Sequence, residues 1–372
     1  MTGSMAEPIL MHAAPELFAD LFHAVPVGIG DPFTYVEVAG RRIAIISVLD
    51  RDAVAATGVE VVDPSGLGRD ELSADGVDPL TADAELALRL LRDLGLQSVV
   101  VPPDFPLFVA DHLRAGGLEL HPEGDVFMRR RRVKTGVQLE GIMRAQTAAD
   151  AAMATARSLL TDLREGLTSE DVRRAMQAVC AKHDAELPDD VIVSSGPQSA
   201  VGHESGSGPI AAGAPVIVDI WPRDKRSRCW ADMTRSFVAG GGKPSEEQAR
   251  FWELSRDSLD RVLSAVRPGV AGGELFALSC EPFHAAGVPT QLSKQPGTTL
   301  EEGYFHSLGH GVGLEIHERP YLGRASDDLV TGDVIAVEPG CYRRGFGGCR
   351  LESLVRVTEE GGEVLTTFPY EL

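Results

Sequence analysis

A chain of 372 residues with 43% hydrophobic residues and a formal net charge of -20 is long enough for two domains around separate cores. That charge excludes nucleic acid or an anionic membrane as the expected partner, because either polyanion is repelled. No apolar run reaches the roughly 18 residues of a spanning helix, Met1 to Leu21 has no basic leader ahead of an apolar stretch, and the five cysteines lack C-x-x-C spacing, so a reducing cytoplasm is expected.

Up to about Phe127, strand-like and helical runs alternate. Arg42 to Val48 and Gln97 to Val101 are rich in β-branched residues and predict strands. Between them, Leu86, Leu88, Leu90, Leu91 and Leu94 share a helical stripe within Asp83 to Leu94. Residues 1–130 therefore read as a small α/β domain. Its histidines, His12, His23, His112 and His121, stand near no carboxylate pattern that could close a metal site and read as structural or surface residues. The basic cluster Arg129 to Arg132 is too short for a polyanion site and reads as a solvated or salt-bridged segment between domains.

Residues 131–372 form the second expected domain. Val137 to Leu163, alanine-rich and low in Gly and Pro, predicts a long helix. Thr168-Ser169-Glu170-Asp171 caps a second one. Pro215 to Ile220 and Trp230 to Val238 predict paired strands. Ser245-Glu246-Glu247-Gln248 then opens a helix to about Val266, and Gly273 to Ala286 forms a shorter one. Val334 to Val337 and Arg350 to Val357 predict a second strand pair. Two helices and two strands thus occur twice.

Each strand pair carries an acidic residue on each arm, Asp219 with Asp232 and Glu338 with Glu352, at nearly equal separation. Facing hairpins would bring four carboxylates to one point, which their repulsion permits only with cations among them. His310 adds an imidazole. Hard oxygen ligands with one imidazole suit divalent Mn, Co, Fe or Zn better than a sulfur-preferring site. A single acidic strand residue is usually solvated or paired with a base. Five donors in this order point to a two-metal hydrolase.

The contexts are V-I-V-D-I-W at Asp219, W-A-D-M-T-R-S at Asp232, S-L-G-H-G-V-G-L-E-I-H-E at His310, V-I-A-V-E-P-G at Glu338 and C-R-L-E-S at Glu352. Through them the segment from about Val137 to Leu372 resembles the pita-bread metallopeptidases. The extra N-terminal domain makes the Xaa-Pro branch, aminopeptidase P and prolidase, a closer likeness than methionine aminopeptidase. The resemblance implies an α/β N-terminal domain followed by an α+β pita-bread catalytic domain with a pseudo-two-fold repeat. It also implies a homodimer and two divalent metal ions, manganese first, with cobalt, zinc or iron as alternatives. Asp219 would chelate one metal, His310 and Glu338 the other, and Asp232 and Glu352 would bridge them. A hydroxide between the metals would be the nucleophile, with Glu338 exchanging its proton. His203 and His317 match pocket histidines that hydrogen-bond substrate and tetrahedral intermediate, and Arg350 matches an arginine that pairs with nearby carboxylates. His306 and His284 match no motif position and read as structural.

The implied substrate is a small peptide with proline in second position. Proline lacks an N–H and fixes its φ, so a pocket shaped to the pyrrolidine ring can select it. The alternative is a same-fold hydrolase of a non-peptide amide or small metabolite, like creatinase or ectoine-hydrolase relatives. A peptide-binding module without metal would be expected to lose ligands, and all five are present. Two departures stand out. The polar, basic loop R-D-K-R-S-R-C between Asp219 and Asp232 is longer than is usual in the family. Tyr321 stands four residues after His317, where prolidases often place an arginine for the dipeptide carboxylate; Arg319 and Arg324 are the nearby substitutes.

Overall fold

The computed structural model describes residues 7–372; residues 1–6, part of the stretch read for a leader, lie outside the described residues. The chain divides into two compact units, Met1–Arg131 and Arg132–Leu372.

In the first unit, β1 (Ile9–Ala13), β2 (Phe33–Val38), β3 (Arg41–Ile45), β4 (Glu60–Val62), β5 (Ser98–Val101) and β6 (Glu119–Pro122) form one sheet in the order β4-β3-β2-β1-β5-β6. The central strands β1 to β3 pair antiparallel, and β4, β5 and β6 join in parallel. Helices α1 (Ala19–Ala24), α2 (Arg51–Ala55), α3 (Arg69–Ala74), α4 (Pro79–Asp93) and α5 (Leu107–Ala115) complete it. The leucine stripe lies on α4, which starts earlier than its apolar pattern. There the Asp78 side chain accepts from Thr81 N–H and Pro79 fills the first turn. His12 meets Thr34 and His112 meets Glu85, in keeping with structural roles.

The four arginines close the helix α6 (Gly124–Arg132). Each faces a carboxylate, of Asp125, Glu37, Asp20 and Asp333 in turn. Arg131 and Arg132 are buried and Arg129 stays largely exposed, so the cluster is salt-bridged throughout and solvated only at its first residue.

The second unit repeats one arrangement. Helices α7 (Gly136–Thr161) and α8 (Ser169–Lys182) share a core with the sheet of β8 (Ile192–Ser195), β9 (Pro215–Ile220) and β11 (Met233–Val238), while β7 (Ala185–Glu186) pairs with β10 (Arg223–Asp224). Helices α9 (Glu246–Ala265) and α10 (Gly272–Ala285) share another core with β13 (Glu318–Leu322), β14 (Val334–Val337) and β17 (Ser353–Val357), strands of a sheet that β12 (Gly309–Gly311) and β18 (Gly362–Val364) complete. Between β14 and β17 stands a hairpin of β15 (Gly340–Arg343) and β16 (Gly347–Arg350). Capping boxes at Thr135, Thr168 and Ser245 fix the starts of α7, α8 and α9. Alanines 145, 148, 149, 152 and 156 are fully buried on α7, where small side chains allow close packing of helix against helix and sheet.

Both second-arm strands are shorter than the sequence pattern predicts. Asp232 precedes β11 and Glu352 precedes β17, so both carboxylates sit where the ladder opens. Hydrogen bonds then join the halves: Glu352 N–H donates to Thr234 O at 3.1 Å, and Ser236 Oγ donates to Arg350 O at 3.0 Å. Among the described residues no helix is long and apolar enough to cross a membrane.

Candidate metal centre

Strand alternation separates core from site on β9. Val216, Val218 and Ile220 enter the core shared with α7 and α8, so Asp219 faces the opposite side. It lies opposite Thr234 on β11, whose hydroxyl donates to Glu352 Oε2 at 2.7 Å. His310 occupies the middle of β12, between β13 and β14. Its flanking glycines have a steric cause. A Cβ on Gly309 would lie 1.9 Å from Ala336 O, and one on Gly311 would lie 2.2 Å from Arg319 O. The G-H-G pattern thus lets two strands close on the histidine. Glu338 leaves the end of β14 with its N–H bonded to Leu308 O at 2.9 Å.

These elements converge on one cavity of about 1090 Å³, lined by all of the candidates His203, Asp219, Asp232, His310, His317, Glu338, Arg350 and Glu352. Asp232, His310 and Glu352 each offer a ligand atom within 4.8 Å of the others. His310 Nε2 is 3.8 Å from Asp232 Oδ2 and 3.7 Å from Glu338 Oε1. Asp219 and Glu338 flank this trio on the side of Arg350, which donates to Asp219 Oδ2 and approaches Glu338 Oε2 to 4.0 Å.

Burial and the charges of neighbouring acids push Asp232, Glu352 and Glu338 away from ionisation. The Asp232 carboxyl is raised well above its ordinary value by burial, then by Glu352, Asp219 and Glu338. Glu352 is raised by burial, then by Asp219 and Glu338. Burial lifts Glu338 to about 8. His310 is pushed down to about 3 by burial and by His317, leaving a neutral imidazole. Asp219 Oδ1 is buried without a hydrogen-bond partner, which is costly for a carboxylate. An oxygen-rich donor set with one neutral imidazole, an unpartnered buried oxygen and acids that repel each other fit divalent cations.

The partners that hold Arg350 carry no mark in the local sequence. Its Nη1 donates to Tyr342 Oη at 2.9 Å and Gly202 O at 3.2 Å. Burial opposes its charge, but Tyr342, Asp219 and Glu338 outweigh that and raise its pKa. Tyr342 in turn lies 3.0 Å from His306 Nε2, and His306 Nδ1 lies 2.8 Å from Ser307 O. Nδ1 therefore carries the proton, and Nε2 accepts from the tyrosine hydroxyl. His306, expected to be structural, bonds Tyr342 and also lines the cavity. Its assignment needed Tyr342, which only the folding of β15 against β16 brings alongside. His284 does bond locally, to Thr290 at 2.6 Å.

The two substitutes for a carboxylate-binding arginine are not among the cavity-lining residues. Arg319 pairs with Asp327, and Arg324 donates to Gln291 O. Tyr321 lines the cavity and is 40% exposed.

Residues 140–359 match the sequence profile of metallopeptidase family M24. The chain belongs to metallopeptidase family M24. Over 251 residues it is 32% identical to the Xaa-Pro dipeptidase of Pyrococcus furiosus, covering 67% of each chain. Over 283 residues it is 28% identical to the Xaa-Pro dipeptidase of Pyrococcus horikoshii, covering 75% of each. The solved Xaa-Pro dipeptidase from Bacillus anthracis superposes with a TM-score of 0.81 at 25% identity, over 98% of this chain and 94% of that one. The X-Pro aminopeptidase structure from Thermotoga maritima shares the fold, with a TM-score of 0.80 at 23% identity over 98% of this chain and 96% of that one. The M24 fold is thus present over the full described length, an α/β N-terminal domain followed by a pita-bread catalytic domain. Membership of M24 implies divalent metal ions.

Proposed function

We propose that this M24 protein is a Xaa-Pro dipeptidase that uses two divalent metal ions held by Asp219, Asp232, His310, Glu338 and Glu352. The observation that carries the reading is the convergence of these five donors, with His203 and His317, on one cavity in a chain 32% identical to a Xaa-Pro dipeptidase. Hard oxygen donors with one imidazole support manganese first, with cobalt, zinc or iron as alternatives. When bound, the ions would lower the pKa of a water molecule and stabilise negative charge on the scissile carbonyl oxygen.

The chain's own residues have distinct tasks in this reading. Glu338 takes the proton of the attacking water and passes it to the proline nitrogen, which leaves as a secondary amine. His203 and His317 face the cavity and hydrogen-bond the oxygen on which charge develops. Arg350 holds Asp219 in place. Ile192, Trp221, Phe305 and Ile316 provide an apolar wall suited to a pyrrolidine ring.

Five free, buried cysteines support a reducing, cytoplasmic setting. Leu17, Val48 and Leu49, 83%, 71% and 87% exposed, supply apolar surface on the first unit for the contact of a homodimer.

The test is a substrate panel with manganese-loaded protein: Ala-Pro, Ala-Pro-Ala and Ala-Ala-Ala, each with a chelator control. Chelator-sensitive cleavage of Ala-Pro supports the dipeptidase, and cleavage of Ala-Pro-Ala alone would make it an aminopeptidase. Failure on all three with metal bound would turn the assignment to a non-peptide amide.

A further inference from the structure

The loop between β12 and β13 carries Ile316 and His317 to the cavity. It is gripped by residues that are not among the cavity lining. Trp230, two residues before Asp232, donates its backbone N–H to Gly313 O at 2.8 Å and its indole N–H to Leu314 O at 3.1 Å. From the other side Lys134 pairs with Glu318, the two side chains being 4% and 2% exposed. Glu318 also accepts from Glu315 N–H at 3.4 Å. Between these holds passes Gly313, where a Cβ would lie 2.3 Å from Glu318 Oε1 and 2.7 Å from Lys134 Nζ.

Trp230 is itself anchored. It ends the long loop between the two aspartates, and Arg223 lies over its ring, 5.0 Å from the centroid. The tip of that loop rests on α7. Asp224 accepts both arms of Arg144 at 2.9 Å. Ser227 fills the space over Gly141, where a Cβ would come within 1.8 Å of its Oγ. A continuous path of contacts therefore runs from α7 through the loop tip to Trp230, and on to the segment bearing His317. That segment also borders His310, whose ring centroid is 4.1 Å from that of His317.

We propose that the long loop between Asp219 and Asp232 is a positioning device: Trp230 sets the height of the 312–317 segment and so aims His317 at the reacting carbonyl. Trp230 is a positioning residue acting through His317. The inference rests on the Xaa-Pro hydrolase reading, and its logic is that an active-site group is only as well placed as the shell supporting it.

Trp230→Phe keeps an aromatic ring and the backbone donor and removes the indole N–H. The expected result with Ala-Pro is a fall in kcat on the order of tenfold, with KM within about twofold. In a His317→Ala background the same change costs less than about twofold, because its route of action is gone. A second readout needs neither metal nor substrate: the His317 imidazole NMR signals of the metal-free protein shift in Trp230→Phe. Should that variant fold poorly, Gly313→Ala displaces the same segment and is expected to give the same coupling. Equal losses in both backgrounds, or unmoved His317 signals, would overturn the inference. A wild-type protein that cleaves no Xaa-Pro peptide, while the His317 signals still respond to Trp230→Phe, would sink the assigned reaction and uphold the positioning of His317.

Discussion

Tyr342→Phe offers a clean test of how Arg350 is held. Tyr342 is 1% exposed, and its hydroxyl accepts from Arg350 Nη1 at 2.9 Å and donates to His306 Nε2. The ring would keep its place. Phe305 stacks on it with centroids 4.6 Å apart. Gly340 and Gly348 leave room for it, since a Cβ at either would come within 2.5 Å or 2.4 Å of the tyrosine. The substitution therefore removes two hydrogen bonds without opening a cavity. A bond to a charged group contributes about 1.5–3 kcal/mol, a neutral one about 1 kcal/mol. Arg350 Nη1 retains Gly202 O at 3.2 Å, and water can reach half-buried His306. The expected destabilisation is thus about 2 kcal/mol, read as a lower urea midpoint at unchanged m-value. Looser Arg350 also frees Asp219, so kcat/KM for Ala-Pro is expected to fall about tenfold. A wild-type midpoint together with wild-type kcat/KM would refute the idea that this chain of hydrogen bonds holds the site.

Glu352→Gln is expected to abolish binding of one or both ions and to lower kcat by at least about 1,000-fold, the loss of several kcal/mol of charge stabilisation. The same change should raise the melting temperature of the metal-free protein, because it deletes a buried carboxylate that Asp219 and Glu338 repel; a lower melting temperature would contradict this. The pH dependence has a definite sign. Glu338 rises from 4.5 to about 8 in the metal-free fold, so the folded state binds more protons than the unfolded one between these values. Its stabilising contribution is complete below about pH 4.5 and is lost as pH rises through about 8. Denaturation midpoints of chelated protein should fall over that window, and saturating manganese should restore them, by about 2.7 kcal/mol at a hundredfold excess over Kd. Tyr321→Arg is expected to lower KM for Ala-Pro by adding a cation to the cavity wall for the dipeptide carboxylate; an unchanged KM would count against that position facing the substrate.

The sequence was most informative where a local rule decides the outcome. Thr168 and Ser245 cap helices at the positions their spacing predicts, and β9 has the predicted bounds because its alternation serves two faces at once. The ligand contexts were legible for a related reason. G-H-G is needed wherever neighbouring strands close on His310, and the acids adjoin strand ends. Contacts between distant segments were not legible. His306 and Tyr342 are 36 residues apart, Trp230 and Leu314 are 84 apart, and Arg132 finds Asp333 across 201. Such pairings follow from the path of the chain, and nothing in their local sequence marks them. Arg319 and Arg324 show the converse. Proximity in sequence to Tyr321 made them candidates, yet Arg319 on β13 pairs with Asp327 and Arg324 beyond it donates to the Gln291 carbonyl.

The measurement that bears most directly on the central claim is a manganese titration of metal-free protein that follows bound metal per chain and Ala-Pro hydrolysis in the same samples. The account predicts saturation at two ions per chain, hydrolysis that rises with occupancy, and loss of both on adding chelator. Full occupancy without Ala-Pro cleavage, or cleavage undiminished in the chelated protein, would contradict it.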